Sequence, residues 1–209
     1  MGIVLESLSR PLTPSQRQAA EVIEREFRAA GFSPEIAAAA LVNAWAESKL
    51  NPLAQSKPPE DSAGLFQLNR KGAGWDMPTG SQYPRGDSRF DPRLNVRRFV
   101  REITHTTPGK RFVQEAKAVG QDVAVLAGLL CYHVERPKDR EGKALERAEL
   151  ARELFPRGIV RPAPLTVPVA SRAPQAAPVN PWPWVGAITA VSCIGLAAAG
   201  DWYRTWRDG

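Results

Sequence analysis

Cysteine and histidine are nearly missing from this chain, with two of each among 209 residues. Two cysteines exclude a disulfide-dense scaffold. No paired Cys or His spacing suits a structural zinc site, so neither a metal nor a cofactor is expected. A secretory signal is also missing from the reading of the first residues. Gly2-Ile3-Val4-Leu5 is too short for an apolar signal core, and Glu6 follows at once. Glu6 stands where a myristoylation motif needs Ser or Thr. Internal repeats are not apparent. With 43% hydrophobic and 24% charged residues, wholesale disorder is excluded. The net charge of +6 suits an anionic partner: nucleic acid, phospholipid head groups or a wall polymer. Charge alone does not choose among them.

Three zones follow from composition. Residues 1–155 alternate helical patterns with polar loops and read as one mainly α domain. Residues 156–183 contain eight prolines in 28 residues and read as an extended spacer. Residues 184–203 are apolar, and residues 204–209 form a short charged tail. From Trp184 to Gly200 there are 17 residues without a charge, with Trp182 and Trp184 at the front and Trp202, Tyr203 and Trp206 behind. That length and those aromatic ends predict one C-terminal transmembrane helix. Arginines flank it on both sides, so its orientation is only weakly indicated. Cys131 and Cys193 then lie in different environments and do not pair.

Within the first zone, Thr13-Pro14-Ser15-Gln16 is a helix start with a capping-box Gln, and the helix should run over 14–30 to Gly31. Ser33-Pro34-Glu35 starts a second helix that ends near Glu47, before Asn51-Pro52. Residues 51–90 read as a long ordered loop with a short hairpin around Gly64–Leu68. Asp91-Pro92 opens a third helix, which Pro108-Gly109 is expected to end. Further helical patterns cover about 110–118, 121–134 and 138–154.

The stretch Ala46-Glu47-Ser48-Lys49-Leu50-Asn51-Pro52-Leu53-Ala54, followed by Ser62-Ala63-Gly64-Leu65-Phe66-Gln67, carries the chemistry. A carboxylate closing an apolar helix beside Trp45 sits where burial and the helix dipole both disfavour its charged form. That raises its pKa and suits a general acid. Gly64 suggests close backbone packing, and Gln67 offers a donor and an acceptor.

These residues resemble the lysozyme-like lytic transglycosylases: Glu47-Ser48 closing a helix, Asn51-Pro52-Leu53-Ala54 next, and Gly64-Leu65-Phe66-Gln67 downstream. The helix pattern Arg97-Arg98-Phe99-Val100-Arg101-Glu102-Ile103 is similar to that of phage tail lysozymes. So are Tyr132-His133-Val134-Glu135-Arg136-Pro137 and the closing Arg147-Ala148-Glu149-Leu150-Ala151. The resemblance covers about residues 17–156. It implies a lysozyme-like fold that cleaves peptidoglycan glycan strands, with Glu47 as the catalytic acid and Ser48, Gly64 and Gln67 in the cleft. It also matches Tyr132 loosely to a tyrosine that holds the acid. A hydrolase needs a second carboxylate to activate water. Asp61 and Glu60 are the best placed, ahead of Asp76, Asp87 and Asp91. A transglycosylase needs only Glu47.

The same residues carry plainer readings. Glu135-Arg136-Pro137 reads as an ion pair closing a helix rather than a catalytic feature. The run Arg85, Arg89, Arg93, Arg97, Arg98 and Arg101 reads as a solvated face with local ion pairs, or else as a contact surface for anionic wall polymer or lipid. No nucleic-acid motif accompanies it, so nucleic acid is not expected as a partner. The combined expectation is a membrane-anchored peptidoglycan-cleaving enzyme of bacteriophage type, in a virion internal membrane or the host inner membrane. Other virion membrane or capsid proteins are candidate partners. The alternative is an inactive virion structural protein that keeps the fold.

Overall fold

Helix starts fall where the sequence places its caps. The structure is a computed structural model and describes residues 2–160. A short helix α1, Ile3–Glu6, comes first and buries Val4 and Leu5. Helix α2, Pro14–Ala29, opens on a reciprocal capping box between Thr13 and Gln16. Helix α3, Pro34–Ser48, opens on the Ser33 side chain. Helix α4, Pro92–His105, opens on the Asp91 carboxylate, which accepts from Leu94 N–H at 2.9 Å.

Helix α3 is buried on every side from Ala37 to Trp45. An all-round apolar helix belongs in the centre of a domain. It packs against α6, Val123–Leu130, all eight residues of which are buried. Asn43 is the polar exception in α3. Its amide donates to Ala39 O at 2.8 Å and to Ala127 O at 3.1 Å, which fixes α3 against α6. Helix α7, Arg140–Leu154, packs on both. Helix α2 lies against α3 and α4. Buried Glu26 in α2 receives Arg93 at 3.0 Å and Arg97 at 2.8 Å from α4. Burial pushes the Glu26 carboxyl up, but the hydrogen bonds and charges of Arg97 and Arg93 outweigh it and hold the pKa low.

Pro108-Gly109 starts a helix instead of ending one. Helix α5, Thr107–Val119, is capped by Thr106, whose hydroxyl accepts from Gly109 N–H at 3.1 Å. A Cβ at Gly109 would collide with the Glu102 and Ile103 carbonyls, so glycine lets α5 begin against the last turn of α4. The single helix expected over 121–134 is divided. After α6 the chain widens into a π-helical turn, Cys131–Glu135, closed by Arg136 in the left-handed region.

Between α3 and α4 the chain makes one small antiparallel hairpin, β1 Ser62–Ala63 with β2 Leu68–Asn69, and two 3₁₀ turns. Asn95 of α4 holds it, accepting from Phe66 N–H at 3.1 Å and donating to Ala63 O at 3.2 Å and Arg89 O at 2.9 Å. Phe66 stacks on Phe99 at a centroid distance of 3.9 Å. At the far end, Val160 N–H reaches Ser7 Oγ at 2.9 Å, so the hydrogen-bonded fold runs to Val160. Among the described residues no helix is long and apolar enough to cross a membrane, and the 184–203 segment lies outside them.

Candidate active site

The apolar helix α3 ends on Glu47 and Ser48. Lys49 and Leu50 then take left-handed backbone angles, with φ of 54° and 59°. A bulky residue pays for that conformation only where packing fixes it, and Leu50 is completely buried. Gln16 of α2 ties down the corner by donating to Lys49 O at 3.1 Å. Ser48 is buried and donates to Ala44 O at 2.9 Å, and the left-handed Lys49 after it ends the helix. The corner leaves Glu47 facing α7.

There Arg147 meets it, Nη2 to Oε1, at 2.5 Å. Glu135, from the π turn, approaches the same Nη2 at 3.5 Å. Glu47 keeps 28% of its side-chain surface, whereas Arg147 keeps 9% and Glu135 10%. Both Glu135 oxygens are shielded from solvent, with only the Arg147 guanidinium and the Cys131 thiol acting on them as donors. Burial pushes the Glu135 pKa up to about 7; the negative charge of Glu47 adds to this, and Arg147 offsets part of it. Cys131 lies one turn before Glu135. Burial, reinforced by Glu135, pushes its thiol far up, so it stays neutral.

A groove of about 400 Å³ opens beside this cluster, between the end of α3 and α7. Glu47, Lys49, Pro137, Lys143 and Arg147 line it, with Leu150 at one side. Glu146, paired with Lys143, lines it as well, so carboxylates and cations reach into it from both walls, an arrangement able to hold a polar substrate and pass it a proton. A family model described as phage tail lysozyme matches residues 18–157. The chain belongs to the phage tail lysozyme family. No curated protein and no solved structure matches it. Membership in the phage tail lysozyme family implies glycosidase-type chemistry with peptidoglycan as substrate. The matched stretch contains Glu47, Glu135 and Arg147 together.

The other residues singled out for a phage tail lysozyme cleft, Asp61, Gly64, Gln67 and Tyr132, are not among those that line this groove. Asp61 is bound by Arg89, Nη2 to Oδ1, at 2.7 Å. Arg89 is 3% exposed and also binds Asp87 at 2.8 Å and Leu68 O at 3.1 Å. Asp87 takes Arg70 as well, at 2.5 Å. Burial pushes Asp87 up, and the hydrogen bonds from Arg89 and Arg70 more than reverse it, leaving the pKa low. Gly64 has φ +82°, and a Cβ there would strike Arg89 O and the Asn95 amide. Gln67 donates inward, to Gly64 O at 2.9 Å and Ala54 O at 3.2 Å. Tyr132 stands in the π turn, edge-on to His133, with the Arg140 guanidinium 6.0 Å from its ring. The group that grips Glu47 is Arg147.

The arginine run is in part the solvated, ion-paired face expected of it, with Arg93, Arg97 and Arg101 more than half exposed, and its charges are matched rather than free. Arg89 is buried in the loop, Arg93 and Arg97 serve Glu26, and Arg98 binds Asp76 at 3.2 Å and Glu102 at 2.9 Å. Sequence reading missed Arg147 as a site residue. A signal existed: it lies on the same side of α7 as buried Ala144, Ala148 and Ala151, where an unpaired arginine does not belong. Among the described residues no cluster of His, Cys, Asp and Glu could hold a metal ion.

Proposed function

We propose that the protein cleaves the peptidoglycan glycan strand with Glu47 as the proton donor. The observation that carries this is the position of Glu47: a partly exposed carboxyl, at the end of a buried helix, lining a groove. In the proposed step, Glu47 gives its proton to the glycosidic oxygen. The bond from that oxygen to the sugar C1 breaks, its electron pair leaves with the oxygen, and C1 becomes oxocarbenium-like. The Glu47 carboxylate then takes the proton of the muramyl C6 hydroxyl, whose oxygen bonds to C1 and closes a 1,6-anhydro ring. The engagement of Asp61 by Arg89 favours this one-carboxylate route over hydrolysis with Asp61 as base. Ser48, Gly64 and Gln67 support the cleft by holding backbone, and Tyr132 flanks the π turn.

Digestion of purified peptidoglycan followed by mass spectrometry of the fragments tests the reading. Glu47→Gln should lose about 10²–10⁴-fold in rate with the helical spectrum unchanged. Anhydro ends are the expected product, and reducing ends would favour hydrolysis. No cleavage by the native chain would leave the alternative of an inactive virion protein with this fold.

The 184–203 run supports a further proposal, a membrane anchor on the proline-rich spacer, in a virion internal membrane or the host inner membrane. The full chain should then resist carbonate extraction, while a chain ending after residue 161 should be released and remain active. Release of the full chain by carbonate would remove the anchor.

A further inference from the structure

Behind the groove, two carboxyls meet one guanidinium. Glu47 arrives from α3, Glu135 from the π turn and Arg147 from α7. With both carboxyls ionised one negative charge in the cluster would lack a cation of its own, which is costly where it falls on the shielded Glu135. A proton on one of the two carboxyls would remove that excess. The two carboxyls are not equivalent hosts. Glu47 opens to the groove, and both Glu135 oxygens are shielded from solvent.

We infer that Glu135 is a positioning residue which, through the shared Arg147, sets whether Glu47 carries a proton. The inference rests on the reading of Glu47 as the acid. When the proton sits on Glu135, Arg147 is matched by the Glu47 carboxylate, and Glu47 is ready to act as a base. When Glu135 is ionised, it matches Arg147 instead, and Glu47 takes the proton and is ready to act as an acid. The pair therefore supplies both forms that a one-carboxylate reaction needs, and it titrates as a unit. Burial and the Glu47 charge, which push Glu135 up to about 7, set that titration near neutrality.

Of the other charged neighbours, Lys49, Lys143 and Glu146 line the groove beside Glu47, and none is bonded to Glu135. Cys131, on the same turn, stays a neutral thiol. Helix α6 presents no titratable side chain. From α5, Glu115 is taken by His133 at 3.0 Å. From α7, Lys143 binds Glu146 at 2.7 Å, and Arg140 lies over Tyr132.

The test is the pH profile of peptidoglycan digestion by the full chain and its Glu135→Gln variant. In the variant Arg147 belongs to Glu47 alone and holds it as a carboxylate. The alkaline limb should move acidward by about one pH unit or more, so that activity falls about tenfold or more near pH 7 and recovers on acidification. Glu135→Asp should restore part of the neutral activity. A uniform loss at every pH, with the profile unmoved, would reduce Glu135 to packing and overturn the inference. A second measurement needs no variant. Infrared titration of the native chain should show a carboxylic-acid C=O band that fades with a midpoint near neutrality, and its absence would overturn the inference equally. Failure of the underlying reading looks different: Glu47→Gln would then keep its activity at all pH values.

Discussion

At the groove, two carboxylates share one guanidinium; in the loop, two aspartates share two. Glu47 and Glu135 have Arg147 between them, whereas Asp61 and Asp87 have Arg89 and Arg70. Burial raises the pKa of the innermost acid in both places. In the loop the donors outnumber the deficit, and Asp87 ends below the ordinary range. At the groove they do not, and Glu135 ends far above it. Depth of burial and the ratio of cations to acids together separate the clamp, whose acid is held low, from the cluster, whose acid is pushed up.

Removing the cation from each cluster breaks the comparison most sharply. Arg89→Gln should cost about 3 kcal/mol or more, because it leaves half-buried Asp87 to Arg70 alone and frees the carbonyls of Asp61 and Leu68. Denaturant unfolding at neutral pH measures this, and a loss below about 1 kcal/mol would mean the loop holds itself. Arg147→Gln should cost less, about 1–3 kcal/mol, since a carboxyl that can keep its proton need not remain an unpaired charge. That cost should shrink on acidification, whereas the cost of Arg89→Gln should shrink only once Asp87 itself is protonated.

The two acids should also give opposite pH slopes of stability. Glu135 holds its proton in the folded chain up to about 7, while the unfolded chain releases it near the ordinary carboxylate value. The folded state binds more protons across that window, so its stability falls as pH rises through it. Glu135→Gln should flatten this slope. Asp87 is held low, so its contribution is present above the ordinary aspartate range and is lost as pH falls through its folded pKa. Asp87→Asn should flatten the acid side alone. Unfolding midpoints at a series of pH values check both.

The smallest effect belongs to Asp61, which keeps 47% of its side-chain surface. Asp61→Asn should cost no more than about 1 kcal/mol. On the one-carboxylate route it should also leave glycan cleavage within about tenfold, whereas a water-activating base would cost two orders of magnitude.

Much of the helical frame was legible because helix starts are local chemistry. Thr13, Ser33 and Asp91, each followed by proline, cap helices through contacts three residues away. Thr106 with Pro108 carries a related signal, but Gly109 makes it read as a stop, because its tolerance depends on the carbonyls of α4 nearby. The place of Glu47 at the end of an apolar helix was equally legible. Its neighbours were not. Glu135 and Arg147 come from separate elements, and shielding of the Glu135 oxygens is a property of packing that no local spacing encodes. The arginine run reads rightly as an ion-paired face, but its partners are hidden for the same reason, since Glu26 and Asp76, which neutralise it, are distant in sequence.

The wide turn at Cys131–Glu135 has a genealogical reading. A π turn is a regular helix that has taken in one residue, and one residue rotates everything beyond it by about 100°. Glu135 stands at the end of that rotation. Deleting a single codon within 131–134 would return the segment to ordinary phase and swing the glutamate away from Arg147, with the composition nearly unchanged. The charge state of the groove is thus recorded in length as much as in residue type. Related chains one residue shorter here should keep a glutamate in their alignment and yet lack the second carboxyl in space.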